Sequence, residues 1–191
     1  MKHLKNIMRQ ASNENIIKGK SWYNDAQEYS RILSVKYNVS MPLVASVIAA
    51  LSPRNRWERN KIDAENVISH VFNGTTLQKV AVFNAMKNKA LSLCKEMTHE
   101  ERLKILNGIK IQSFYCNIIG DESRVTIDTW IDLAYSGEYK AVKERNALTL
   151  GRYRIIEKDI KKLAKQYNMK AYELQAIVWL QFQEQVKENN L

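Results

Sequence analysis

The sequence predicts an all-α protein, and three observations carry that expectation. Proline and glycine, the helix breakers, number only 2 and 6 in 191 residues. The remaining composition is rich in Leu, Ile, Ala, Lys, Glu and Gln, which as a set favour helix over strand. Apolar residues recur at three- and four-residue spacing along most of the chain, the period of one helical face.

Taken in order, the elements follow from local signals. Residues 22–38 carry Tyr29, Ile32, Leu33 and Tyr37 near helical spacing. Ser40 is a candidate N-cap, with Pro42 in the first turn of a helix whose body is apolar on every side and is therefore expected to be buried. Pro53 ends it. Residues 55–72 read as a helix with Trp57, Ile62, Val67 and Val71 inward, closed by Asn73-Gly74. Residues 75–97 place Leu77, Val80, Phe83, Met86, Ala90, Leu91 and Cys94 on one face. Thr98 and Glu101 form a capping box that starts a short helix ending near Leu106. Gly108 turns the chain into a further helix over 110–119, with strand as the alternative because of its β-branched residues. Residues 120–124 form a loop. Asp128 starts a helix that Ser136-Gly137 ends. Two long helices, 152–168 and 170–188, complete about eight to ten.

Composition narrows the function. Two cysteines, Cys94 and Cys116, are too few for a disulfide framework and lack metal-ligand spacing, and the three histidines are scattered. No bound metal or cofactor is expected. No run of about 18 apolar residues is present, and residues 1–20 lack the apolar stretch of a signal peptide, so the expectation is a cytoplasmic protein with no membrane association. The net charge of +10, from 30 basic and 20 acidic residues, favours a polyanionic partner.

Residues 100–119, EERLKILNGIKIQSFYCNII, have the layout of two helices joined by a glycine turn. The turn and the second helix's N-terminus offer backbone N–H groups that suit a phosphate oxygen. Lys110 opens that second helix. Eighteen residues on, Asp128 lies in Thr126-Ile127-Asp128-Thr129-Trp130. It reads either as a helix N-cap or as a working carboxylate, and the two are compatible, because its helix holds a capping aspartate in place. Lys110 reads either as a nucleophilic amine or as a lysine that contacts phosphate or nothing.

In these motifs the chain resembles the helix–hairpin–helix DNA glycosylase superfamily, of the endonuclease III and 8-oxoguanine glycosylase type. Gly108-Ile109-Lys110 is similar to the end of the family hairpin, and residues 126–130 are similar to its Val-Asp-Thr motif. Upstream, residues 47–68 resemble the family's early helix–turn–helix, and residues 86–96 a later helix. The resemblance covers roughly residues 40–135. The chain has one hairpin glycine where the family usually has two. A shifted alignment puts Gln112 at the lysine position, which leaves water as the attacking group. The iron–sulfur cysteines of some members are absent.

The resemblance implies two helical subdomains flanking a cleft. One spans about 40–127, with the helix–hairpin–helix at 98–119; the other comprises about 1–39 and 128–191. It implies a monomer that acts on double-stranded DNA, flips a damaged or modified base and cleaves its N-glycosidic bond, with lysine-dependent strand cleavage as an option. Asp128 would stabilise the developing sugar cation or deprotonate the nucleophile. Lys110 would be the amine nucleophile, with Lys104 and Arg124 as cationic neighbours. Arg54 or Asn55 would fill the gap left by the flipped base. Arg56, Gly108, Lys104 and Arg124 would contact DNA. Two alternatives keep the fold: substitution at modified pyrimidines, and a non-catalytic DNA-binding module. A plain helix–turn–helix regulator is a third and gives Asp128 no special role.

Overall fold

The computed structural model describes residues 1–138 and 147–188. Among these there are ten helices and no strand, so the all-α expectation holds. They are α1 (Lys2–Gln10), α2 (Asn13–Tyr37), α3 (Met41–Ala50), α4 (Trp57–Asn73), α5 (Asn84–Leu93), α6 (His99–Leu106), α7 (Ile109–Ile118), α8 (Thr129–Ser136), α9 (Leu150–Gln166) and α10 (Ala171–Glu188). The expected span 128–191 includes residues 139–146 and 189–191, which lie outside the described residues. The helices group into two compact units. Unit 1 comprises Met1–Asp25 and Asp121–Leu191, and unit 2 comprises Ala26–Gly120. The boundary falls inside α2.

Unit 2 is built around α3. Every residue from Leu43 to Ala50 is buried, as a helix apolar on all sides requires, and α4, α5, α6 and α7 pack against it. Ser40 occupies the N-cap position without capping through its side chain; its hydroxyl donates to Glu96 at 3.1 Å instead. In α4 the buried stripe is Asn60, Asp63, Ala64, Val67 and Ile68, spaced at three and four residues. Ile62 and Val71, expected inside, are 53% and 41% exposed. Two polar residues hold stripe positions, and Asn60 donates its side-chain amide N–H there to the Ile48 carbonyl at 3.1 Å. A reading by hydropathy passes over such positions and rotates the inferred face.

The expected long helix over 75–97 is shorter than its pattern. Only Asn84–Leu93 is helical, and Phe83 stands 67% exposed at the N-cap instead of joining an apolar face. The preceding residues include Thr75, Thr76, Val80 and Val82, whose β-branching costs helix stability. The amide of Ala81 is taken up by the Asp63 carboxylate at 2.9 Å. The capping box at Thr98 and Glu101 is present, and both of its reciprocal hydrogen bonds form. Arg102 is fully buried and donates to Ser46 Oγ (3.1 Å) and to the carbonyls of Leu93 and Lys95 (3.0 Å each), which closes the end of α5.

Unit 1 is centred on α10, which packs against α1, α8 and α9. The first part of α2 reaches it closely: a Cβ on Gly19 would sit 2.7 Å from Ile177 Cα. Tyr23 is buried and meets the ring of Tyr172 edge-on at 5.1 Å. Both cysteines are buried, and neither forms a disulfide. No single helix among the described residues is long and apolar enough to cross a membrane.

Candidate functional site

Asp128 follows a short extended run, Val125–Thr126–Ile127, all buried. Tyr153 Oη donates to the Val125 carbonyl at 2.6 Å and accepts the Ile127 amide at 3.2 Å. Both backbone groups are thereby satisfied without a neighbouring strand. The chain then enters α8 with Asp128 as N-cap. Its Oδ1 accepts the Ile131 amide at 2.9 Å, and its Oδ2 accepts the Trp179 indole N–H at 3.1 Å. The positive end of α8 favours negative charge at this point.

Two donors from different helices fix the plane of the carboxylate, which is half-buried. Tyr23 lies nearby. Burial, foremost, holds its phenol protonated well above the ordinary range, and the Asp128 charge acts in the same direction. Its hydroxyl donates to Gln175 Oε1 at 3.0 Å. The surroundings of Asp128 are thus aromatic, with the polar groups tied down. Arg124, four residues upstream, lies 4.0 Å from Asp121.

The remaining sequence-derived residues belong to unit 2. The helix–turn–helix is present: α6 ends at Asn107 (φ 35°), Gly108 follows at φ 106°, and α7 begins at Ile109. That φ favours glycine. The N-cap residue of α7, Gly108, makes no side-chain cap. Lys110 is half-buried at its second residue, and Lys104 is exposed in the last turn of α6. Gln112 donates its side-chain amide to the Leu103 carbonyl at 2.8 Å, tying the second helix back to the first. Lys89 of α5 donates to the Leu106 carbonyl at 3.2 Å, so a cation closes the C-terminus of α6.

The loop between α3 and α4 places Arg54 at φ 56°, exposed, with its guanidinium 5.9 Å from the centre of the Phe83 ring. Asn55 turns inward and donates to the Leu51 carbonyl (3.2 Å) and to Asp63 Oδ2 (3.0 Å). Arg56 is exposed at the N-cap of α4. Asp63 is fully buried and accepts from Asn55, from Arg59 Nε at 2.8 Å and from the Ala81 amide. It joins the loop before α4 to the segment before α5.

Sequence reasoning missed Asp63, Trp179 and Tyr153. Trp179 reads as core by spacing, yet it is half-buried and its indole N–H is committed to Asp128. An aspartate four residues after an arginine in a helix was the available signal for Asp63, since that spacing places both on one face. Nothing local marks Tyr153 as the partner of residues 125–127.

Among the described residues no three His, Cys, Asp or Glu side chains form a group that could hold a metal ion. The fold and these residues define an all-α protein with an aspartate at a helix N-terminus that Ile131 and Trp179 both hold. The chain belongs to a family of unknown function, DUF7178, which it matches over residues 1–186. No curated protein and no solved structure matches it.

Proposed function

We propose that the chain is a DNA glycosylase-like enzyme that releases a damaged or modified base from duplex DNA, with Asp128 as its carboxylate. The observation that carries this reading is the double anchoring of Asp128 by Ile131 and Trp179. Cleavage of an N-glycosidic bond leaves positive charge on the sugar, and a carboxylate already held in orientation stabilises that charge without reorganising. In hydrolysis the water oxygen bonds to C1′, the base leaves with the electron pair of the broken bond, and Asp128 takes the proton from water. The glycine-turned α6–α7 pair supports the reading through the amides at the start of α7, which suit a backbone phosphate.

The test is base release from a panel of duplexes, each with one damaged or modified base, scored as alkali-labile sites. The wild type is expected to release at least one base and Asp128→Asn to release none. Borohydride trapping separates water from an amine as the attacking group: a covalent DNA adduct lost in Lys110→Gln marks the amine. A wild type that binds duplex DNA but releases nothing across the panel overturns the enzyme.

One observation favours a second reading, a DNA-binding module without catalysis. Both oxygens of Asp128 already hold donors, and Gln112 serves the hairpin itself. That reading predicts that Asp128→Asn leaves every DNA readout unchanged.

A further inference from the structure

We propose that α9 carries a surface for the phosphodiester backbone of nucleic acid, formed by Arg154, Lys158, Lys161, Lys162 and Lys165. These five cations line a shallow groove of about 440 Å³ on the outer face of the helix, with Glu157 as its only carboxylate. Glu157 is nearly buried, at 4% exposure. It accepts from Arg154 at 2.7 Å and from Lys161 at 3.0 Å. A carboxylate at that depth requires such partners, and it fixes the two cations in return. Lys158, Lys162 and Lys165 are exposed and have no carboxylate partner among the described residues.

Spacing identifies the kind of ligand. Positions 154, 158, 162 and 165 repeat at four, four and three residues and so form one stripe along the helix. The stripe runs about 16 Å, with about 6 Å of rise between neighbouring cations over most of it. Charges laid out in a row suit a polymer of phosphates, whereas a single small anion calls for cations that converge on one point. The same 16 Å covers about five base pairs of duplex at 3.4 Å each.

A lipid surface fits less well. A helix that lies in a bilayer interface needs a free apolar face beneath its cations. In α9 that face is Tyr153, Ile156, Ile160, Leu163 and Ala164, all buried, and the helix packs against α10. The net charge of +10 raises the local concentration of any polyanion, and α9 offers it an ordered contact.

This inference takes duplex DNA as its polymer from the function proposed above, and it does not depend on the chemistry of Asp128. The test is a salt titration of binding to an undamaged duplex, which reads backbone contacts alone. The variants are the full chain, Lys158→Gln/Lys162→Gln/Lys165→Gln, and a control triple, Lys2→Gln/Lys20→Gln/Lys95→Gln, which removes the same charge elsewhere. Thermal melts confirm that each is folded. The α9 triple is expected to reduce the slope of log K against log salt by about 2 to 3 and to weaken binding about tenfold or more at moderate salt. The control is expected to change the slope by less than one, and Asp128→Asn to leave it unchanged. Equal effects of the two triples overturn the proposal, because only net charge is then being read. Retained duplex binding by the α9 triple, with loss of binding to vesicles containing phosphatidylserine, also overturns it in favour of a lipid surface. Failure of base release with an intact α9 effect overturns the enzyme alone.

Discussion

Trp179 of α10 donates its indole N–H to Asp128 Oδ2 at 3.1 Å, while the other oxygen of that carboxylate caps α8 through the Ile131 amide. Capping and orientation thus come from two donors on two helices. Substitutions separate them. Asp128→Ala removes the cap and leaves the indole N–H without its acceptor. It is expected to cost about 2 kcal/mol, roughly half from each loss. Asp128→Asn keeps a side-chain oxygen for the cap and is expected to cost about 1 kcal/mol or less. Urea unfolding of the two variants checks this. If they are equally destabilised, the side chain does not cap α8.

Two glycines are expected to respond to alanine for different reasons. At Gly19 the added Cβ would press on the backbone of Ile177, which no side-chain rotation relieves. At Gly108 a Cβ meets nothing within 4 Å, and the difficulty is φ alone, at 106°. Gly19→Ala is expected to destabilise by about 3 kcal/mol through overpacking, and Gly108→Ala by about 1 to 2 kcal/mol through backbone strain. Truncating the neighbour tests the distinction: Ile177→Ala removes the Cγ1 contact but leaves those with Cα and N, so it is expected to rescue Gly19→Ala only in part.

Arg102 is the largest fully buried side chain and serves three acceptors. Arg102→Leu leaves the Leu93 and Lys95 carbonyls and the Ser46 hydroxyl without it, for an expected loss of about 3 kcal/mol. Arg102→Lys keeps the charge, but one ammonium does not reach all three groups as a planar fork does, so it is expected to recover less than half of that. Chemical denaturation gives both numbers. A lysine variant as stable as the wild type would show that charge, not geometry, is what the site requires.

Alkaline pH is expected to weaken the fold. Burial pushes the Cys94 thiol up to about 12, against the opposing pull of Arg102. An unfolded thiol titrates near ~8.5, so between those values the folded chain keeps a proton that the unfolded chain has released, and stability falls as pH rises. This thiol alone accounts for about 2 kcal/mol between pH 8 and 10. Burial also pushes Tyr115 up to about 12, with the same sign above the ordinary tyrosine range. Unfolding midpoints at pH 8 and 10 should therefore differ less in Cys94→Ala than in the wild type. An unchanged difference removes Cys94 from the account.

Helix positions were legible where the signal is local. Thr98 with Glu101, Pro42, Gly74 and Gly137 mark helix ends by side-chain chemistry or backbone freedom, and each sits where those rules place it. Facing was legible for α3, whose apolar residues leave no ambiguity. It failed for α4, because the buried Asn60 and Asp63 also have partners outside that helix, at Ile48 and Ala81. It failed again before α5, where the Asp63 carboxylate captures the Ala81 amide. Asp128 was legible as a cap because capping needs only its own helix. Its second partner was not, since Trp179 lies 51 residues away and its spacing on α10 is that of a core residue.

The division inside α2 bears on synthesis. Unit 2 is one continuous stretch, Ala26–Gly120, and every residue it needs has been synthesised before α8 is made. Unit 1 draws on both ends of the chain, so its first 25 residues wait for α8, α9 and α10 before they have partners. Growth of the chain from its N-terminus thus completes the middle of the protein before the unit that contains its start. A circular permutant opened between Gly120 and Asp121 would reverse that order without changing a side chain.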